Sequence, residues 1–242
     1  MAFENKVVLV TGSGSGIGAA AVTIFAKKGA NIVIVDTSEE RANNSAVKCR
    51  EFGGKVLVIT ADVSKNEDAK KIIEQTINTY GRLDVLVNNA GIVREGNILD
   101  GNLMDSFDEV MNTNLRAVVL MTSLAAPYLV KTKGCIVNTS SVVTLCVKAA
   151  PVFPAYCVSK AGVDAFTRSS ALELAPSGVR VNAVNPGPVR TNIKVHSGLA
   201  GGWDDVAEQT ALRKCSDPEE IADLIWLSDW NAALSARSRI NS

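Results

Sequence analysis

The stretch VVLVTGSGSGIG, residues 7–18, decides the fold. Its four leading apolar residues, three of them β-branched, read as a strand buried on both faces, and they run straight into a glycine-rich turn. Gly12, Gly16 and Gly18 allow a tight turn, let the backbone approach a pyrophosphate, and permit close packing of the helix that follows. The N–H groups at that helix's start attract phosphate, and Ser15 and Ile17 complete the cofactor loop. The spacing GxxxGxG differs from the GxGxxG fingerprint, so the strand before and the helix after carry the reading. Asp36 then closes the next apolar run, NIVIVD (31–36), where a carboxylate binds the ribose hydroxyls of NAD and repels the extra phosphate of NADP. Ser15 and Thr37 nearby are neutral, so no cation is expected beside a 2′-phosphate, and NAD is the expected cofactor.

Working outward, the apolar runs 55–60, 83–88, 135–140 and 179–184 are short and β-branched like the first two. Stretches of helical periodicity separate them, at 16–29, 39–52, 66–80, about 104–130 and 155–175. Such alternation predicts right-handed βαβ units in one doubly wound parallel sheet with helices on both faces, an α/β Rossmann-type fold. Gly29 and Gly53 stand where helices should end, and Ser64 with Glu67 reads as a capping box. No linker or repeat divides the chain, so residues 1–242 form a single expected domain. Residues 186–215, rich in glycine and proline, read as an irregular excursion and a candidate substrate loop.

Composition narrows the function. Of 242 residues, 47% are hydrophobic and 21% charged, which is ordinary globular usage. Twenty-five basic residues balance 25 acidic ones, so there is no electrostatic footprint for nucleic acid or an anionic membrane. A small-molecule partner is expected. No uninterrupted apolar run reaches the ~20 residues of a membrane span, and the N-terminus lacks signal-peptide character, so a cytoplasmic location is expected. The five cysteines are scattered and never form CxxC, which argues for reduced thiols and against a disulfide framework or a metal site.

Chemistry concentrates in YCVSK, where Tyr156 and Lys160 are four residues apart. On a helix that spacing puts both on one face. A lysine cation beside the phenol would favour phenolate and bring the tyrosine's pKa down from about 10, toward a useful general acid or base.

With TGSGSGIG, NNAG (88–91), an asparagine in the long fourth helical stretch, a serine after the fifth strand, YCVSK and a PG motif after the sixth strand, the chain resembles the short-chain dehydrogenase/reductase family from about residue 5 to about 230. The resemblance implies a seven-stranded sheet with the cofactor across the carboxyl ends of the strands. It implies that Asp62 and Val63 hold the adenine ring and that Asn89, Ala90 and Gly91 line the cofactor and steady the sheet. Asn114 would help hold a water in the proton relay beside the lysine. Pro186, Gly187, Val189 and Thr191 would meet the nicotinamide end, together with Tyr156 and Lys160. For the catalytic serine the resemblance favours Ser141, with Ser140 as the fallback. Homodimers or homotetramers built on the long helices are implied.

The implied reaction passes hydride between NAD and a secondary alcohol or ketone, with Tyr156 as general acid/base and Ser141 bonding the reacting oxygen. Val93, Arg94, Leu145, Phe153, Pro188 and Trp203 would border an apolar substrate pocket with one possible cation. A steroid, a terpenoid or an aliphatic carbonyl compound would suit it. His196, the sole histidine, reads as a surface residue. The tail 227–242 lacks the glycines and apolar run of the family's seventh strand, so the last strand is expected to be missing or altered. Two other classes remain open on sequence alone: a cofactor-binding protein without turnover, and a plain structural domain.

Overall fold

The computed structural model describes residues 3–145, 153–196, 202–208 and 210–230, without the side chains of Lys194, His196, Asp229 and Trp230. Six parallel strands, β1 (Val7–Thr11), β2 (Asn31–Asp36), β3 (Val56–Thr60), β4 (Val85–Asn88), β5 (Cys135–Thr139) and β6 (Arg180–Val184), lie in the order β3-β2-β1-β4-β5-β6. The predicted runs match these strands to within two residues at each end. The chain winds outward from β1 in one direction, then returns to start again at β4, so the crevice between those two strands' carboxyl ends is the topological switch point.

Each strand alternates its side chains between two apolar layers. Val8, Val10, Ile32 and Ile34 face one layer with α1 (Gly16–Lys27), α2 (Glu39–Arg50) and α9 (Pro218–Trp230). Val7, Leu9, Val33 and Val35 face the other, with α3 (Asn66–Tyr80), α5 (Ala117–Thr132) and α6 (Pro154–Leu174). Period-two alternation with both faces covered is why these runs carry so few polar residues. At the amino ends of the central strands, Asp84 ties the sheet down by accepting from the Val7 N–H at 2.9 Å and pairing with Lys6 and Arg82.

Two expectations need correction. The long helix near 104–130 is α4 (Leu103–Met111) continued into α5 through one widened π-helical turn, Asn112–Arg116. By length and composition that helix, Leu103–Thr132, is long and apolar enough to pass as a membrane span, although Arg116 and Lys131 bound its apolar run short of twenty residues. Val118, Met121, Ala125 and Leu129 on it are buried in the core. The Ser64–Glu67 capping box does not form, because α3 starts one residue later, after Lys65. Asp62 accepts there from the N–H and hydroxyl of Ser64, while Asp68 accepts from the Asp62 N–H.

The excursion after β6 is pinned at its neck. Val189 pairs with Ser216 in a parallel bridge, the Arg190 N–H donates to the Ser216 carbonyl, and the Ser216 N–H donates to that of Pro188. Within it lie the short helices α7 (Ile193–His196) and α8 (Trp203–Glu208). Of the tail 227–242, whose seventh strand was expected to be missing or altered, residues 227–230 close α9 and 231–242 lie outside those described, as do Cys146 and the His196 side chain.

Candidate active site

The glycine loop turns where the sequence requires it. Gly12 and Gly16 have φ of 63° and 52°, left-handed values that side-chain-bearing residues rarely adopt. A β-carbon on Gly12 would lie 2.8 Å from the Ala90 backbone, and one on Gly16 would lie 2.9 Å from the Thr191 methyl. The loop therefore brings the NNAG turn and the segment after β6 together around the start of α1. Gly18, by the same measure, presses on the Gly12 carbonyl and the Asn89 side chain, so helix and loop pack without a gap. Ser15 stands at the N-cap of α1 in extended conformation and makes no side-chain cap bond, while Ile17 turns into the core. The first turn of α1 thus keeps donors for an anion, as a pyrophosphate requires.

Asn89 fixes the neighbouring turn. Its amide donates to the carbonyls of Thr11 and Gly12 at 3.0 and 3.1 Å, and the Thr11 hydroxyl accepts from the N–H groups of Asn89 and Ala90. This is the steadying of the central sheet that the sequence suggested. Asp62 and Val63 sit beyond the end of β3, where the Ala61 N–H donates to the Asp36 carbonyl.

Asp36 ends β2 with its carboxylate 7% exposed. One oxygen accepts from the Gly14 N–H at 3.0 Å, and the other from the Ser38 N–H at 3.0 Å. The expectation of no nearby cation is wrong. Arg41, in the first turn of α2, donates to Asp36 Oδ1 from Nε at 3.2 Å and from Nη2 at 2.7 Å. The residues flanking Asp36 are neutral, but a helix starting at Glu39 folds Arg41, five residues on, back over it.

At the other end of the crevice, α6 presents Tyr156 and Lys160 on one face, with the Lys160 ammonium 5.7 Å from the phenol ring centre. Lys160 is buried and donates to the Thr139 carbonyl at the end of β5, at 2.7 Å. Burial pulls its pKa down to about 8, against a smaller opposing pull from Asp164. Tyr156 runs against expectation. Burial pushes its phenol above 10, an interaction with Ser141 partly offsets this, and Cys157 adds a smaller upward push. In this state the ammonium spends its bond on Thr139 rather than on the phenol.

The two serines engage different partners. Ser141 lies close enough to Tyr156 to lower its phenol's pKa, whereas the buried Ser140 hydroxyl donates to the Lys160 carbonyl at 3.2 Å. Asn114 falls on the π-helical turn and is fully buried, not solvent-facing as a mid-helix asparagine usually is. Its carboxamide accepts from the Ile92 N–H and donates to the Ile92 carbonyl, each at 2.8 Å, and donates to the Ser159 hydroxyl at 3.2 Å. A β-carbon on Gly91 would lie 3.3 Å from Asn114 Oδ1 and 3.5 Å from Lys160 Nζ, so these three converge.

Two further residues contribute. Ser159 hands Asn114 on to the Tyr156 carbonyl at 2.8 Å; its signal was its place inside YCVSK. Asn185 donates to the Ser141 carbonyl, the Thr144 hydroxyl and the Asp164 carboxylate, holding the serine loop against α6. Standing immediately before Pro186 and Gly187 was its signal. Pro186 itself accepts from the Val142 N–H, and a β-carbon on Gly187 would meet open space. Arg94 is no free cation for substrate, since its guanidinium is paired through two hydrogen bonds, at 2.9 and 2.8 Å, with Glu109 of α4.

Comparison with known proteins fits this geometry. Residues 6–199 match the family described as short chain dehydrogenase. The chain belongs to that family. It is 36% identical to meso-2,3-butanediol dehydrogenase of Serratia marcescens over 92% of its own length and 86% of that protein's. It is 37% identical to the 3-oxoacyl-[acyl-carrier-protein] reductase of Thermotoga maritima, over 93% and 90%. A short-chain dehydrogenase/reductase of unknown function from Caenorhabditis elegans, solved with cofactor, superposes with a TM-score of 0.87 at 35% identity, covering 93% of this chain and 88% of that one. As a short-chain dehydrogenase the chain is an oxidoreductase that works with a nicotinamide cofactor on small-molecule alcohols or carbonyls.

Proposed function

We propose that the protein is an NAD-dependent dehydrogenase or reductase of a secondary alcohol or ketone, with Tyr156 moving the proton. The observation that carries this is the convergence of Tyr156, Ser141, Lys160 and Asn114 at the carboxyl ends of β4 and β5, across the crevice from Asp36. The glycine loop, Asp36, Asp62, Val63, the turn 89–91, Val189 and Thr191 would hold the dinucleotide. When bound, the nicotinamide supplies the hydride chemistry.

The chain's own residues handle the oxygen and its proton. Ser141 offers a hydroxyl to the reacting oxygen and steadies its charge. The phenol of Tyr156 takes the proton in the oxidative direction and returns it in the reductive one. That duty needs a phenol closer to neutrality than burial alone leaves it. Lys160, freed from Thr139, supplies the compensating positive charge. Asn114 holds the turn at Ile92 and keeps α6 in place through Ser159.

A neutral, apolar substrate is favoured because Arg94, the one cation expected at the pocket, is engaged by Glu109. Steroids, terpenoids and aliphatic carbonyl compounds fit that description. Four described cysteines form no disulfide with one another, in keeping with a cytoplasmic setting. Exposed Val119 and Val130 on α5 and Leu172 on α6 support a homodimer or homotetramer through these helices. The test is NAD reduction across a panel of alcohols beside direct NADH titration. Turnover of an apolar secondary alcohol is the expected result; binding without turnover on any alcohol would make the protein a cofactor-binding module instead.

A further inference from the structure

The pairing of Arg41 with Asp36 has no place in the reaction just described. Asp36 Oδ1 receives three donors, the Ser38 N–H and two from Arg41, while Oδ2 receives only the Gly14 N–H. A carboxylate has about four lone-pair sites, so acceptor room remains on Oδ2 for a ribose hydroxyl and little remains on Oδ1. Arg41 is anchored for this position twice. Its own N–H is capped by the Ser38 hydroxyl at 3.3 Å, and Nη2 also reaches the Thr37 hydroxyl at 3.4 Å. Gly14 makes the close approach possible, since a β-carbon there would fall 2.7 Å from the Asp36 carboxyl carbon and 2.8 Å from Arg41 Cβ. The guanidinium side chain is 36% exposed, so it stands at the mouth of the site with freedom to turn outward.

A bare carboxylate at the end of β2 rejects a 2′-phosphate by charge repulsion. A carboxylate under a guanidinium repels it less, and the guanidinium can exchange its carboxylate for the phosphate, which it grips with the same fork of N–H donors. We propose that Arg41 sets how strongly this protein prefers NAD over NADP, softening the rejection by Asp36 so that NADP is also accepted. The proposal rests on the reading of Asp36 as the ribose ligand.

The experiment is a fluorescence titration of the full chain with NADH and with NADPH, at low and at raised salt, for the wild type, Arg41→Leu and Arg41→Gln. Arg41 is only partly exposed, and two variants of different polarity separate a folding defect from a lost charge. The expected result is measurable NADPH binding by the wild type that weakens with salt more steeply than NADH binding. Both variants should then weaken NADPH by about tenfold or more, the scale of one charge-assisted contact, with NADH changed by less than about threefold. An unchanged NADPH-to-NADH ratio would overturn the proposal, as would equal weakening of both, which would make Arg41 a strut for Asp36. A wild type that binds NADH and refuses NADPH at any salt overturns it too. Failure to bind either cofactor overturns the Asp36 reading itself and is distinguishable from the other results.

Discussion

The two ends of the crevice each hold a cation, and they hold it in opposite ways. Arg41 sits half in solvent on a carboxylate, in a pair that leaves both charges satisfied. Lys160 has a backbone carbonyl as its hydrogen-bond partner, and burial pulls its pKa down to about 8. The first arrangement is stable and electrostatically quiet, which suits selection among cofactors. The second keeps a proton loosely held beside a phenol, which suits proton transfer.

The largest effect that would sharpen this contrast is expected at Tyr156. Tyr156→Phe removes the acid/base group and should lower turnover by about 10³-fold, within the range general acid–base catalysis supplies. Next is the serine pair: Ser141→Ala should cost about 10²-fold in kcat, as loss of one donor to a developing oxyanion does, while Ser140→Ala should leave kcat largely intact. Ser140 bonds only the Lys160 backbone, so thermal denaturation rather than kinetics should register its loss, at about 1 kcal/mol. An equal kinetic effect from both serines would break the assignment.

Lys160→Met comes third and has a signature in stability as well as rate. Because the folded pKa of about 8 lies below the ordinary 10.5, the unfolded chain binds more protons between those values, and the stability of the wild type rises with pH through that window. The shift corresponds to roughly 3 kcal/mol of burial cost at neutral pH, at about 1.4 kcal/mol per pH unit. The variant should therefore be at least as stable as the wild type at pH 7, lack that rise in denaturation scans from pH 8 to 10, and still lose activity. A variant that is both inactive and much less stable would show Lys160 to be a structural anchor. The smallest effect belongs to the other end: Gly14→Ala crowds Asp36 and Arg41 and should weaken NADH binding several-fold, with kcat at saturating cofactor nearly unchanged.

The contrast also marks what can be read in the sequence. The strands were legible because a strand buried on both faces must be apolar throughout, and Tyr156, Lys160 and the glycine loop because their spacing acts through local geometry. Arg41 was not, since its partner is set by where α2 begins after β2, a matter of one or two residues that propensity does not fix. The burial of Asn114 in its π-helical turn is matched by bonds to the Ile92 backbone, 22 residues away, so nothing local announces it. The direction of the Tyr156 shift is no more legible. Spacing puts Lys160 near the phenol, but burial, a property of the whole fold, is the largest influence on its pKa and raises it.

The most direct test is made on one sample of Tyr156→Phe beside the wild type, using an alcohol or ketone that the wild type turns over. NADH is titrated first, and a single turnover is then followed on the cofactor-saturated protein. Binding within about threefold of wild type, with hydride transfer slowed by about 10³-fold, is the predicted pair of results. Transfer at more than a few per cent of the wild-type rate, with the cofactor bound, would contradict the assignment of the proton to Tyr156.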